Sequence, residues 1–249
     1  MSKLHDTGGF IGASYTYPNV PASVSPVTSG LVSYLDAGDT TSYPGTGTTW
    51  TDLVSSVNNG TLTNGPVFTS SGSASYFTFD GSNDGVQLAG TNFSLNTMTI
   101  SCWNFSANYN QNGFMFEKTT NGTVNTQYSF FFAADNNIYY RTYGLSTQDL
   151  VISNTTAGTV NNQWNNFVAT FDGTNKRIYR NGTLVATSAN LTGTVTQNTT
   201  GAAYIGIYGS FAGYPFNGRK SINRIFNRAL SQAEITQDYN FFKGRYGLA

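Results

Sequence analysis

Residues 164–187 read WNNFVATFDGTNKRIYRNGTLVAT, a stretch that leaves the backbone few choices. Trp164, Asn166, Val168 and Thr170 alternate with Asn165, Phe167, Ala169 and Phe171, the period of two expected when one face of a strand lies on a core. Asp172-Gly173-Thr174-Asn175 then supplies a glycine for positive φ and Asx side chains for the turn amides, so the strand must reverse. Ile178 and Tyr179 carry the return to Asn181-Gly182, the pair best suited to the two positive φ angles of a type I′ hairpin. The spacing predicts three consecutive antiparallel strands.

The same punctuation runs from Gly30 onward: GLVSYLDA, TLTNGPVF, YFTFDGSNDGVQLAG, MTISCWNFSA, GFMFEKTT, YSFFFAADNNIYYRTYG, LVISNTT, AAYIGIYG and SINRIFNRAL are short β patterns separated by Gly, Asn, Asp and Thr. About a dozen strands with turns at this spacing point to an all-β, antiparallel two-sheet sandwich and away from βαβ units. At 249 residues the chain fits one such domain. One helix is expected near the C-terminus. Ser231 with Glu234 makes a capping box, Leu230 can staple against Ile235, Ile235, Tyr239 and Phe242 form one stripe, and Gly244 offers a stop.

Residues 1–29 differ. GGFIGASYTYPNVPASVSPVTS holds three of the six prolines and no sustained alternation, so an extended arm is expected over 1–29 and a packed domain over 30–249. An arm without its own core becomes ordered by lying on its own domain or on a neighbouring chain, which points to assembly with other copies. Because alternation starts at Gly30, deleting residues 1–29 is expected to leave folding intact.

Composition excludes several classes of function. Formal net charge is zero and 10% of residues are charged, so no nucleic-acid partner is implied. Arg219, Lys220, Arg224 and Arg228 alternate along one strand and are expected to form a solvated or inter-subunit face. No run of about 18 apolar residues exists to span a membrane. MSKLHDTGGF lacks the apolar segment of a signal peptide, so the Asn-x-Ser/Thr sequons read as an Asn/Thr-rich surface. The single cysteine, Cys102, sits between apolar residues as a small buried hydrophobe.

Taken in order, NNGTLTNGPVF (58–68), FTFDGSNDGVQL (77–88), MTISCWNF (98–105) and IFNRALSQAEITQDYNFFKGRYGL (225–248) resemble the laminin-G-like, concanavalin-A-like jelly-roll domains over residues 30–248. The last segment is similar to bacteriophage versions of the domain. The resemblance implies a jelly-roll β-sandwich. It also implies a virion location, with the chain as a non-enzymatic structural protein that decorates a capsid or builds an appendage. Its partners would then be copies of itself or virion proteins such as the capsid protein. A carbohydrate-binding module for host glycans is the alternative the same fold implies.

Catalysis is not expected. Hydrolases of this superfamily resemble one another in an E-x-D-x-E strand, absent here, and glycosidic cleavage needs two carboxyl groups about 5–10 Å apart. The chain has two glutamates, Glu117 and Glu234, and a Ser-His-Asp arrangement could draw only on His5. Asp80, Asn83 and Asp84 gather three oxygen side chains at one turn, which fits either a calcium site, the one cofactor considered, or plain turn chemistry. YGSFAGYPFNG (208–218) places Tyr208, Phe211, Tyr214 and Phe216 in a loop, and these rings are the candidates for contact with a ligand or partner.

Overall fold

The computed structural model describes residues 25–88, 91–119, 126–211 and 213–249. Among these, the strands in chain order are β1 (Leu31–Asp36), β2 (Thr49–Trp50), β3 (Gly60–Thr63), β4 (Val67–Thr69), β5 (Tyr76–Asp80), β6 (Gly85–Leu88), β7 (Met98–Ser106) and β8 (Gly113–Thr119). They continue with β9 (Tyr128–Ala133), β10 (Asn137–Thr142), β11 (Asp149–Ser153), β12 (Gln163–Phe171), β13 (Lys176–Arg180), β14 (Thr183–Thr187), β15 (Ala202–Ile205) and β16 (Asn217–Phe226), before helix α1 (Gln232–Phe242). Sheet A has the order β14-β13-β12-β7-β16-β5-β4, with β1 also paired to β16, and sheet B the order β11-β10-β9-β8-β15-β6-β3-β2. The two antiparallel sheets stack as a jelly-roll β-sandwich.

The expected hairpins are present. β12 pairs with β13 and β13 with β14, and Asn181 and Gly182 turn with φ of 49° and 78°. Asp172 Oδ1 accepts from the amides of Thr174 and Asn175, at 2.9 and 2.7 Å, which closes the other turn. Alternation puts Phe167, Ala169 and Phe171 of sheet A against Phe116, Phe130 and Phe132 of sheet B in one buried cluster. Cys102 lies in that cluster, and burial pushes its thiol up to about 12, so it behaves as a small hydrophobe.

Helix α1 has the predicted capping box, with the Ser231 side chain accepting from the Glu234 amide and the Glu234 side chain from the Ser231 amide. Leu230 and Ile235 share a buried cluster with Val168, Tyr179 and Phe226 of sheet A, so the helix covers part of that sheet's outer face. Gly244 does not stop the chain. The backbone continues as a 3-10 turn over Lys243–Tyr246, and Gly247, at φ 68°, takes the left-handed position.

Two expectations are corrected on this face. Packing begins before Gly30: Val27 is buried in the helix cluster, its amide donates to Asp238 Oδ1 at 2.8 Å, and its carbonyl accepts from Arg224. Residues 1–24 and His5 lie outside the described residues. The basic run 219–228 is also not one solvated face, since only Arg219 and Arg228 of its four cations are partly exposed. Arg224 is buried in an ion pair with Asp238, and Lys220 is buried with its Nζ donating to Asn104 Oδ1 at 2.7 Å. Strand β16 lies between β7 and both β1 and β5, so neither of its edges is free along its length. Among the described residues no helix is long and apolar enough to cross a membrane.

Candidate functional site on the outer face of sheet B

Among the described residues no α-helix lies on the outer face of sheet B, and the strand register arranges its side chains in rows. Neighbouring strands are about 4.8 Å apart, so residues directly opposite each other must touch if they are large. Phe114 of β8 is opposite Phe131 of β9, which is opposite Tyr139 of β10, which is opposite Val151 of β11. The rings accordingly stack upright, Phe114 on Phe131 at 4.8 Å and Phe131 on Tyr139 at 5.0 Å, with Val151 41% exposed at the end.

A second row runs beside the first: Asp149, Arg141, Ser129, Glu117, Tyr204, Gln87 and Thr61 are successive partners from β11 to β3. Asp149, Arg141, Gln87 and Thr61 in this row are at least partly exposed, whereas Ser129, Glu117 and Tyr204 in its middle are buried. Arg141 is held by both oxygens of Asp149, at 2.6 and 2.7 Å, so its charge is matched on the face.

The loop after β15 lies over this surface. Tyr208 approaches Phe114 at 5.2 Å and Tyr214 approaches it at 6.3 Å, extending the ring row. The Tyr208 amide bonds to the Gly213 carbonyl at 3.0 Å, and Phe211 and Tyr214 both sit at positive φ, 59° and 49°. Non-glycine residues hold that conformation only when surrounding contacts impose it. For Phe211 the contacts are Tyr204, at 5.8 Å, and the backbone of Gly85, where an added Cβ would stand 2.7 Å from the ring.

Of the four predicted loop rings, three therefore belong to the face. Tyr214 is 52% exposed, and Tyr208 and Phe211 are partly exposed. Phe216 is the correction. It is fully buried between the sheets, near Phe79 and Phe132, and its ring closes on Gly113, where a Cβ would be 2.9 Å away. It anchors the loop and cannot meet a partner.

Glu117 is the residue that the sequence pattern did not single out for this face. Its side chain is buried, its Oε2 accepts from the Gly209 amide at 2.7 Å, and burial pushes its carboxyl up to about 8. It keeps its proton at neutral pH and fastens the loop to the sheet. The only signal was a glutamate within the apolar run FMFEKTT. The other carboxylate of its row, Asp149, is three strands away, about 14 Å at strand spacing, and already serves Arg141.

At the turn of Asp80, Asn83 and Asp84 the side chains and backbone hydrogen-bond locally. Asp80 Oδ1 accepts from the Ser82 amide at 2.8 Å, Asp84 Oδ2 from the Asp80 amide at 3.0 Å, and the Asn83 carbonyl from Asn64 at 2.8 Å. Asp84 is buried, and burial raises its carboxyl above the usual range. One oxygen of each aspartate thus serves the turn, and no group of three His, Cys, Asp or Glu that could hold a metal occurs among the described residues.

The sequence profile of the concanavalin A-like lectin/glucanases superfamily matches residues 80–236, well over half of the chain. The chain belongs to this superfamily. No curated protein sequence matches it. Among solved structures, this superfamily member is similar to domain 4 of AbnA, a GH43 extracellular arabinanase from Geobacillus stearothermophilus solved in complex with arabinotriose, with 14% identity and a TM-score of 0.63 over 84% of this chain and 98% of that one. It is also similar to Trypanosoma rangeli sialidase in complex with sialic acid, with 16% identity and a TM-score of 0.60 over 91% of this chain and 36% of that one. The superfamily domain thus spans about a third of the sialidase chain. At such identities the likeness is one of fold.

Proposed function

We propose that this lectin-like domain is a non-catalytic recognition module that holds a neutral glycan on the outer face of sheet B. The observation that carries this reading is the pairing, on one face, of the partly exposed rings Phe131, Tyr139 and Tyr214 with a polar row in which Asp149, Arg141, Gln87 and Thr61 are at least partly exposed. A sugar ring has apolar C–H faces and a rim of hydroxyls, and needs both kinds of partner. The face is also electrically quiet: Arg141 is matched by Asp149, and Glu117 is protonated at neutral pH. Domain 4 of the arabinanase, a structural neighbour, was solved in complex with arabinotriose, which supports a sugar ligand. The spacing of Glu117 from Asp149 supports a role without hydrolysis, since cleavage needs carboxyl groups about 5–10 Å apart. A glycan array tests the reading directly. Specific signal for uncharged glycans is expected, and a blank array with folded protein contradicts it.

A second reading places the module in a virion, as a decoration or appendage component bound to the capsid protein or to its own copies. It is supported by the ending IFNRALSQAEITQDYNFFKGRYGL and its similarity to bacteriophage versions of the domain. The two readings are compatible, because an appendage can carry the host-recognition site. Immunogold labelling of particles from an infected host, with antibody to this chain, tests the location; particles free of label contradict it.

A further inference from the structure

A second surface, on the outer face of sheet A beyond the helix, presents a different chemistry. Trp164, Phe105, Arg219, Thr78 and Val67 are successive partners across β12, β7, β16, β5 and β4. All five are at least partly exposed. The guanidinium of Arg219 lies between two rings, 4.7 Å from the centre of Tyr76 and 4.6 Å from that of Phe105. Trp164 stands against both rings, each at 5.9 Å, and is backed by Tyr246 at 4.7 Å. Gly218 fixes the strand beside it: an added Cβ would be 2.3 Å from the Phe105 carbonyl oxygen.

What distinguishes Arg219 is that its donors are uncommitted. Arg141, Arg177, Arg224, Arg228 and Arg245 each pair with a carboxylate, and Arg180 donates to Asn165. Among the described residues Arg219 is the arginine with neither an ion pair nor a hydrogen bond. Asp80, two residues beyond Thr78 on β5, has one oxygen on its own turn amide. A guanidinium clamped between rings has already lost most of its rotamer freedom, and its planar fork matches a carboxylate with two parallel bonds. Exposed ring surface beside it suits the C–H face of a sugar.

We propose that Arg219, with Trp164, Tyr76 and Phe105, forms a second binding site that takes an acidic sugar, the carboxylate on the guanidinium and the ring against the aromatic side chains. This site is independent of the sheet B face, and each can fail without the other.

The test uses the full chain, with glucuronic acid, N-acetylneuraminic acid, glucose and acetate as probes, followed by NMR at the Trp164 indole N–H and by calorimetry. At least one acidic sugar is expected to shift the indole signal and to bind about tenfold or more tighter than glucose or acetate. Arg219→Gln should weaken that binding about tenfold, and Arg219→Lys should weaken it too, because an ammonium lacks the fork. Tyr139→Ala, on the other face, should leave it unchanged. Acetate binding as tightly as the sugars would mean bare attraction of anions and overturn the proposal. So would wild-type affinity in Arg219→Gln, or an indole signal that no acidic sugar moves. Should Arg219→Gln not fold, the wild-type indole shift and Arg219→Lys decide the matter.

Discussion

A carboxyl group that keeps its proton near neutral pH alters the surface around it, and Glu117 does so beside the ring row. Its folded-state value of about 8, against an ordinary 4.5, comes first from burial and is only partly offset by the Gly209 amide. Between these values the folded chain binds a proton that the unfolded chain releases. Stability therefore falls as pH rises, by up to about 1.4 kcal/mol per pH unit from this group. Glu117→Gln should remove that slope, so urea unfolding at pH 5 and pH 7 should show the variant gaining on the wild type at the higher pH. An unchanged difference would mean that Glu117 is ionised in the fold. The polarity of such positions was only half legible in sequence. Lys220 and Phe216 look like surface and loop residues by pattern, yet both are buried: Lys220 is opposite the buried Phe77 and Asn104, just before a bulge in β16 that shifts the alternation, and the return of the loop turns Phe216 between the sheets. A period-2 reading has no means of locating a bulge.

At the scale of elements, local chemistry was legible and long-range closure was not. The hairpins at Asp172-Gly173 and Asn181-Gly182 and the capping box at Ser231 depend on residues within a few positions of each other, and all three formed as their sequences require. The clasp on residues 25–29 depends on Arg224 and Asp238, about two hundred residues away, and no alternation announces it. Deleting residues 1–29 would remove the buried Val27 side chain and leave the Asp238 and Arg224 groups without these partners. Each unmet group costs about 1–3 kcal/mol, so the deletion should lower the thermal midpoint by several degrees. Scanning calorimetry of the truncated and full chains checks this; equal midpoints would mean that the clasp contributes nothing. The aromatic loop was recognised as a contact element from its composition, whereas its strand partners Phe114, Phe131 and Tyr139 became visible only with the register of sheet B.

The whole molecule is a sandwich whose two outer faces have been treated differently. Among the described residues sheet A is partly roofed by α1 and the residues before β1, while sheet B is covered only by its loop. The superfamily hosts both enzymes and binders, and sequence could separate these only through the missing E-x-D-x-E strand. The separation of Glu117 from Asp149 adds a geometric reason, so the purified chain should release no reducing ends from a broad polysaccharide panel. Reproducible release lost in Glu117→Gln would overturn that expectation. The most direct test of the glycan face is calorimetric titration of the strongest uncharged array ligand into wild type and into the double variant Tyr139→Ala/Tyr214→Ala. Both rings are at least partly exposed and flank the ring row, so the fold should persist while affinity drops about tenfold or more. Equal affinity in a folded double variant would contradict a glycan site on sheet B.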